Sequence, residues 1–563
     1  MPKLKIERQH RFNEEANRVY QMPTSMFEQI KNEPSALFET AFKFMTHHAN
    51  YEVPRLQELK RYYLAQNDIK NKPQSTAVNH STNRIASAFA RYITNIRVGY
   101  FLGNDIQFKV NSENEEDTGQ LEENVINFNH QVDESYIDEM IKKDLSITGR
   151  AYDLVYVDAG TNDLNLAVVD PTTCFVVYDD AIKPQPLMAV RYYQIGILQQ
   201  DLQEIYEIYT DDMLYRYHTD GGFPDVNSPA PYATLDSQTP LFFGRVPLTE
   251  YINNEERTGD WEAELDQIDA LDKSISMMAD FQDDFDNANI ILTGKFANMT
   301  APVFMKDDKG NVIKGKDGQP VILEPPHPDV GPHNHMWYLE PYAMQTGVGQ
   351  PKQVIQPNAQ YLTKQYDSAG WETYTNFLIN EIHKYTNTPN VNDPNFASNA
   401  SGVAMSYKLW GSDQERKIQE SLFEKSLNER YLACVNYWQT LHAIHSQLTA
   451  TELVSALTYT FTPNLPKNDE ETSTLIQTLN STGILSDETL RELAEPITGI
   501  SAQTEQQRVD EQQESTMNKQ IGYDLGDFGT GKVFSTGQPA VVEKQPVSND
   551  DEQSSENNKD DES

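Results

Sequence analysis

At 563 residues the chain is several times the size of one ordinary domain, long enough to bury a large core and to divide into more than one unit. Its 85 acidic and 45 basic residues set a formal charge of -40, which excludes a generally basic nucleic-acid coat and predicts a soluble chain repelled by anionic membranes. No apolar run reaches the ~18 residues a bilayer span needs, the start MPKLKIERQHRFNEE lacks a signal-peptide core, and two cysteines, Cys174 and Cys434, make no disulfide framework, so synthesis in a reducing cytosol is expected.

The charge is unevenly spread. Residues 1–100 hold 15 basic and 9 acidic residues, a net +6, while the remainder holds 30 basic and 76 acidic, a net -46. The first hundred residues can touch a polyanion, or simply form a solvated basic face; most of the rest repels one.

In chain order, residues 12–65 read as helical from the spacing of apolar positions in MFEQI, ALFETAFKFM and VPRLQELKRYYL. After the polar break NDIKNKPQST, a helix is predicted over 83–101, with Ile85, Phe89, Tyr92, Ile93 and Ile96 on one side and Gly103-Asn104 as its stop. Near residue 151 the period changes: AYDLVYVD, LNLAVVD, TCFVVYDD, LMAVRYYQI and EIYTDDMLYRYH predict a meandering sheet. The stretch 219–239, rich in Gly, Pro, Asp and Ser, reads as irregular.

Residues 262–288 carry the clearest helical repeat, with Leu265, Ile268, Leu271, Ile275, Met278, Phe281 and Phe285 at steps of three and four. Segment 264–288 has eight acids and one lysine, so a rod of ~37 Å presents a one-sidedly acidic face. After Gly294, APVFM, a DDKGN turn, VIKG, a KDGQ turn and PVILE predict a small β unit. A second helix is expected over about 358–386, ended by Thr388-Pro389, then the polar loop TPNVNDPNFASNASG, then a long helix from about 402 to 446 with a kink or break at Gly411. Weaker helices follow at 469–482, 487–494 and 503–520, with Ser486 as an N-cap. The tail, with eight acids and two lysines in 541–563, is expected to be disordered.

A search for catalytic chemistry returns little. Gly526 to Lys532 has the glycine and lysine spacing of a phosphate loop, but Val533 stands where a hydroxyl must bind magnesium, and no buried strand precedes it. His327, His333 and His335 cluster without a Cys or spaced acid to complete a metal set. DDKGN and KDGQ lack the alternating oxygen ligands of a calcium loop. No cofactor, no metal and no enzymatic activity are expected.

Several stretches carry a resemblance: NRIASAFARYITNIRVGYFLGN at 83–104, RYYQ at 191–194, FGRVPLTEYINNEERTGDWEAELDQIDALDKSIS at 243–276, and above all YLTKQYDSAGWETYTNFLINEIHKYTNTPNVNDPNFASNASGVAMSYKLWG at 361–411. Together and in this order they resemble the portal proteins of tailed bacteriophages, in the branch found in siphoviruses of Gram-positive bacteria. The resemblance implies an α+β portal fold: a mixed α/β wing at 1–263, a two-helix stem at 264–294 and 346–387, a small β-containing clip at 295–345, a tunnel loop at 388–402, a kinked helix returning to the wing at 403–465, a helical crown at 466–534 and the acidic tail at 535–563.

By the same resemblance, the chain forms a homododecamer at one capsid vertex, the conduit for packaging and ejection of double-stranded DNA, which it contacts weakly and without sequence preference. The implied partners are the terminase large subunit, the major capsid and scaffolding proteins and a head-completion adaptor, with no membrane; the implied location is the virion, after assembly in the host cytoplasm. The implied tunnel-loop residues are Asn390, Asn392, Asp393, Asn395, Asn399 and Ser401. The acids expected on the lumen face of the stem are Asp266, Asp269, Asp272, Asp280 and Asp283. Docking of terminase or adaptor is expected at Lys306, Asp308, Lys309, Asn311, Lys314 and Lys316. The alternatives are a ring-forming scaffold without DNA in its channel and, on the near-miss glycine loop alone, a packaging ATPase.

Overall fold

The computed structural model describes residues 14–512, except 77–79, 112–114, 159, 199–200, 221–232, 286–288, 298, 329–337, 345–346, 348, 350, 363–366, 392–401, 465–468 and 499. The glycine loop at 526–533, the acidic tail, His333 and His335 therefore lie outside the described residues. The chain divides into two compact units, Met1–Asn464 and Leu465–Ser563.

In the first unit the predicted strands form two sheets rather than one. Strands Leu248–Ile252, Arg150–Val157 and Leu164–Val169 make a three-stranded antiparallel sheet in that order. The other sheet runs Tyr20–Gln21, Cys174–Tyr178, Pro186–Ile195, Gln203–Tyr209, Met213–Asp220, Thr234–Pro240, antiparallel except for its first pair. Thr234–Pro240 falls in the stretch read as irregular: it pairs with Met213–His218 through a register shift at Arg216/Tyr217, which breaks the alternation that marks a strand in sequence.

Side-chain alternation explains why the middle strands of the six-stranded sheet, Cys174–Tyr178, Pro186–Ile195 and Gln203–Tyr209, are buried on both faces. Phe175, Val177, Met188, Val190, Tyr206 and Ile208 pack under helix Pro34–His47 through Leu37, Phe38, Ala41 and Phe42. Their neighbours Cys174, Val176, Ala189 and Tyr209 point the other way and meet Tyr152, Leu154, Val169 and Leu248 of the three-stranded sheet.

The largest core lies on the long helix Gly402–Thr440, whose Phe423, Leu427, Tyr431 and Cys434 pack with Leu121, Val125, Ile137, Ile141 and Leu145. Those partners come from helices Glu115–Val132 and Glu134–Thr148, neither of which the sequence reading anticipated. The long helix is continuous through Gly411, without the expected break, and ends at Thr440, two residues before His442 at φ 58°. Buried Arg430 ties it to the rest, donating to Asp153 Oδ2 at 2.7 Å and Asp138 Oδ1 at 2.6 Å.

Three further boundaries differ from expectation. The helix predicted from residue 83 begins at Phe89. The acidic helix spans Leu265–Phe285 and is followed by strand Asn289–Thr293, which pairs antiparallel with Asn358–Leu362. The helix expected from 358 therefore starts only at Ser368, where Asp367 Oδ1 accepts the Gly370 N–H at 2.9 Å. The acidic helix and Ser368–Tyr385 pack side by side through Leu265, Ile268, Leu271, Leu378 and Ile382.

In the second unit, helices Asp469–Thr482 and Asp487–Thr498 pack on each other and a further helix covers 502–512. Ser486 caps the middle one, its Oγ accepting the Thr489 N–H at 3.3 Å.

Candidate functional site

Three places in the first unit hold the residues singled out in the sequence. Along the acidic helix, residues 269, 272, 276, 280 and 283 recur at steps of three and four and so form one row. That row is covered by the chain's own residues 67–76 and 80–87, which have no helix or sheet ladder for most of their length and so need acceptors for their N–H groups. Asp272 accepts the Ser87 N–H at 2.7 Å and the Asn67 amide at 2.5 Å. Ser276 Oγ accepts the Ile85 N–H at 2.9 Å, and Asp280 takes the Asn83 N–H and Lys72 Nζ, the latter at 2.7 Å. Asp283 accepts the Asn83 side-chain amide at 2.7 Å, and Asp284 the Ser81 N–H at 2.8 Å. One turn back, Asp269 accepts the Tyr62 hydroxyl at 2.7 Å.

This corrects one residue of the expected lumen face, Asp272. Asp272 is fully buried and cannot face a lumen, while Asp269, Asp280 and Asp283 are engaged within the chain; Asp266 is exposed. Burial pushes the Asp272 carboxyl up against the pull of Ser87 and Asn67. Burial acts the same way on Asp280, but Lys72 and Asn83 outweigh it and hold that carboxyl below its ordinary range. The row is first an anchor for residues 67–76 and 80–87.

The second place is the base of the polar loop. Asn392, Asp393, Asn395, Asn399 and Ser401 lie outside the described residues; Asn390 is half-buried. The residues leading into the loop are tightly held. Arg97 Nη2 donates to the Thr386 carbonyl at 2.6 Å and pairs with Glu415. Asn387, at φ 47°, donates to Glu415 at 3.0 Å and accepts the Ser412 hydroxyl on its carbonyl. The Tyr92 hydroxyl donates to the Pro389 carbonyl at 3.1 Å and accepts the Val391 N–H at 3.2 Å. The Thr388 N–H reaches the His383 carbonyl at 3.0 Å, and burial pulls the His383 imidazole down. Sequence reasoning missed this clamp. Its one legible signal is Arg97, a cation on the same side of its helix as Ile93 and Phe101, where burial demands a partner.

The role of Gly411 also emerges here: a Cβ on it would come within 3.0 Å of Asn387 Oδ1, so the glycine leaves room for the clamp.

The third place is the small β unit. Segments 303–306, 312–314 and 320–324 each bond to the other two, through Ile313 N–H to Met305 O, Met305 N–H to Val321 O and Val321 N–H to Ile313 O at 2.8 to 2.9 Å. Both predicted turns form, with Gly310 at φ 86° and Gly318 at φ 76°. Asp307 closes the first, accepting N–H groups of Lys309 and Asn311 at 2.9 and 2.8 Å. Lys306, Asp308, Lys309, Asn311, Lys314 and Lys316 are all exposed on this tip.

Among the described residues no group of three His, Cys, Asp or Glu could hold a metal, and no helix is long and apolar enough to cross a membrane. His327 bonds to Thr300 at 2.7 Å.

A family model described as phage portal protein, SPP1 Gp6-like, matches residues 43–519. The chain belongs to this portal family. That is the family the segments at 243–276 and 361–411 resemble, and the fold found is mixed helix and sheet, as that resemblance implies. The portal protein of Bacillus phage SPP1 is 28% identical over 250 residues, covering 41% of this chain and 47% of that protein. The chain thus aligns with about half the length of that portal relative. A solved structure, the neck of an empty GTA particle computed with C6 symmetry, overlaps at a TM-score of 0.36 and 12% identity, over 72% of this chain and 88% of that one.

Proposed function

We propose that this chain is the subunit of a portal: a ring of about twelve copies at one capsid vertex, through whose axial hole double-stranded DNA is packaged and later ejected. The observation that carries this reading is the family match over residues 43–519. In this reading the acidic helix and Ser368–Tyr385 form the stem, 388–402 reaches the channel, and the tip at 295–345 is the docking surface for terminase and, after packaging, for a head-completion adaptor. The ring stands in the virion, joined to capsid and scaffolding proteins during assembly.

The chemistry supports a conduit. DNA carries one charge per ~1.7 Å of axis, so a wall poor in unpaired cations keeps its affinity low. Neutral Asn and Ser side chains in the 388–402 loop offer hydrogen bonds without fixed positive charge. The tip is different: Lys306, Lys309, Lys314 and Lys316 are exposed among Asp307, Asp308 and Asp317, a mixed-charge surface suited to polar docking.

The deciding experiment is negative-stain imaging of the purified chain together with light scattering. Closed rings with an axial hole are expected at micromolar concentration and moderate salt. A monomer or a two-fold dimer under those conditions would sink the proposal.

A further inference from the structure

Two helices of the first unit each carry an apolar stripe that the described residues leave largely exposed. On Ser368–Tyr385 it consists of Tyr374, Phe377 and Tyr385, exposed by 48%, 55% and 53%. On the long helix it consists of Tyr407, Trp410 and Ile418, exposed by 72%, 57% and 63%. Each helix already buries a different face inside the chain: Thr375, Leu378 and Ile382 on the first, Leu409, Ser412, Arg416 and Gln419 on the second. The outward stripes are second faces, not a poorly packed core.

Their spacing matches. With the polar member included, the first reads Tyr374, Phe377, Glu381, Tyr385 and the second Tyr407, Trp410, Gln414, Ile418, both at steps of three, four and four. This is the seam spacing by which one helix lies along another, and each seam holds its polar residue at the third position. Glu381 in the first seam already pairs with Lys384 at 3.3 Å and Lys417 beside the second with Asp413 at 3.6 Å, so the match rests on apolar area and spacing and not on net charge. A closed ring needs two different, complementary patches on every copy, because each subunit contacts its neighbours head to tail.

We infer that these two stripes are the two halves of one contact, the Tyr374–Tyr385 face of each copy seated on the Tyr407–Ile418 face of the next. The inference rests on the portal reading and adds to it which surfaces meet. Five half-exposed aromatics and an isoleucine supply on the order of 500 Å² of apolar area, about a third of a specific interface of standard size. They are therefore the anchors of the contact and not its whole extent.

The test cross-links purified rings with a short bis-maleimide after Phe377→Cys or Trp410→Cys; the native Cys174 and Cys434 are buried and do not compete. Rings from an equal mixture of the two variants should give a cross-linked dimer that neither variant gives alone, and chains carrying both changes should give a ladder up to the full ring. A dimer from Phe377→Cys alone would mean a two-fold contact and would overturn the inference, as would rings of normal size with no cross-link in the mixture. Trp410→Glu provides the second arm: an unchanged circular-dichroism spectrum with at least a roughly tenfold higher concentration needed for assembly supports the contact, and unchanged assembly refutes it. Absence of rings from the unaltered chain would instead remove the portal reading itself.

Discussion

Arg97 donates to the carbonyl oxygen of Thr386 at 2.6 Å, across 289 residues of sequence. The bond is buried and falls on the last turn before the polar loop, so a residue of an N-terminal helix sets where that loop begins.

Arg97→Ala should destabilise the first unit by about 2–4 kcal/mol, because it leaves the Thr386 carbonyl unpaired and Glu415 without its cation. Arg97→Lys should be milder, since an ammonium keeps the cation and a donor, but not harmless, since it lacks the guanidinium geometry that holds both acceptors. Denaturant unfolding reads the first effect. Hydrogen exchange reads the second: protection of the Thr388 and Val391 amides should fall in both variants, with a larger loss in Arg97→Ala. Unchanged protection would mean that the clamp does not position the loop.

The anchor row separates buried acids from exposed ones. Asp272→Asn puts a single acceptor oxygen where two donors, Ser87 N–H and the Asn67 amide, need one each, and should cost about 1–3 kcal/mol. Asp283→Asn keeps an acceptor for Asn83 at an exposed position and should cost no more than about 0.5 kcal/mol. Equal effects in thermal unfolding would argue against an anchoring role for the row.

Acid stability should turn on Glu250. Burial by itself raises this carboxyl, but Arg257 and Arg150 nearby, with hydrogen bonds from Arg257 and Tyr178, hold it down to about 2 from an ordinary 4.5. A folded value below the unfolded one means stabilisation that is complete above pH 4.5 and is lost as pH falls towards 2, worth at most about 3 kcal/mol. Glu52, 3.3 Å from the same Arg150, is pushed upward by burial and adds nothing to this acid loss. Glu250→Gln should be less stable at pH 7, with a shallower decline between pH 4.5 and 2. An unchanged slope in a pH series of urea midpoints would refute the assignment.

Under the portal proposal, Asn392→Lys with Asn395→Lys sets two cations per subunit against passing DNA. Each phosphate neutralised releases counterions and adds a salt-dependent attraction. Rings should assemble normally while packaging slows, with partial recovery as ionic strength rises; the alanine pair should be milder. Packaged DNA length across a salt series measures this, and lysine variants as fast as the unaltered chain at low salt would show that the loop does not meet DNA.

Much of the architecture was legible in the sequence. The apolar repeat of Leu265–Phe285, the β-rich runs from Arg150, both glycine turns of the tip and the Ser486 cap are local signals, each decided within a few residues by helix period, pleat or left-handed φ. The family itself was legible because long ordered segments such as 361–411 constrain far more than any short motif.

What the sequence could not decide was the partner of each polar face. By periodicity the acids at 269, 272, 280 and 283 are one stripe, and a stripe of carboxylates reads as solvated. Only the tertiary structure brings residues 67–76 and 80–87 across it, because the N–H groups of an extended segment without a ladder must find acceptors and the helix row offers them at the right pitch. The same holds for Asn358–Leu362, helical by local pattern yet held as a strand by Asn289–Thr293, and for Gly411, whose missing side chain leaves room for Asn387. Local periodicity determines which element can form and which face is apolar; contacts made across hundreds of residues determine whether a charge ends in water or in a hydrogen bond.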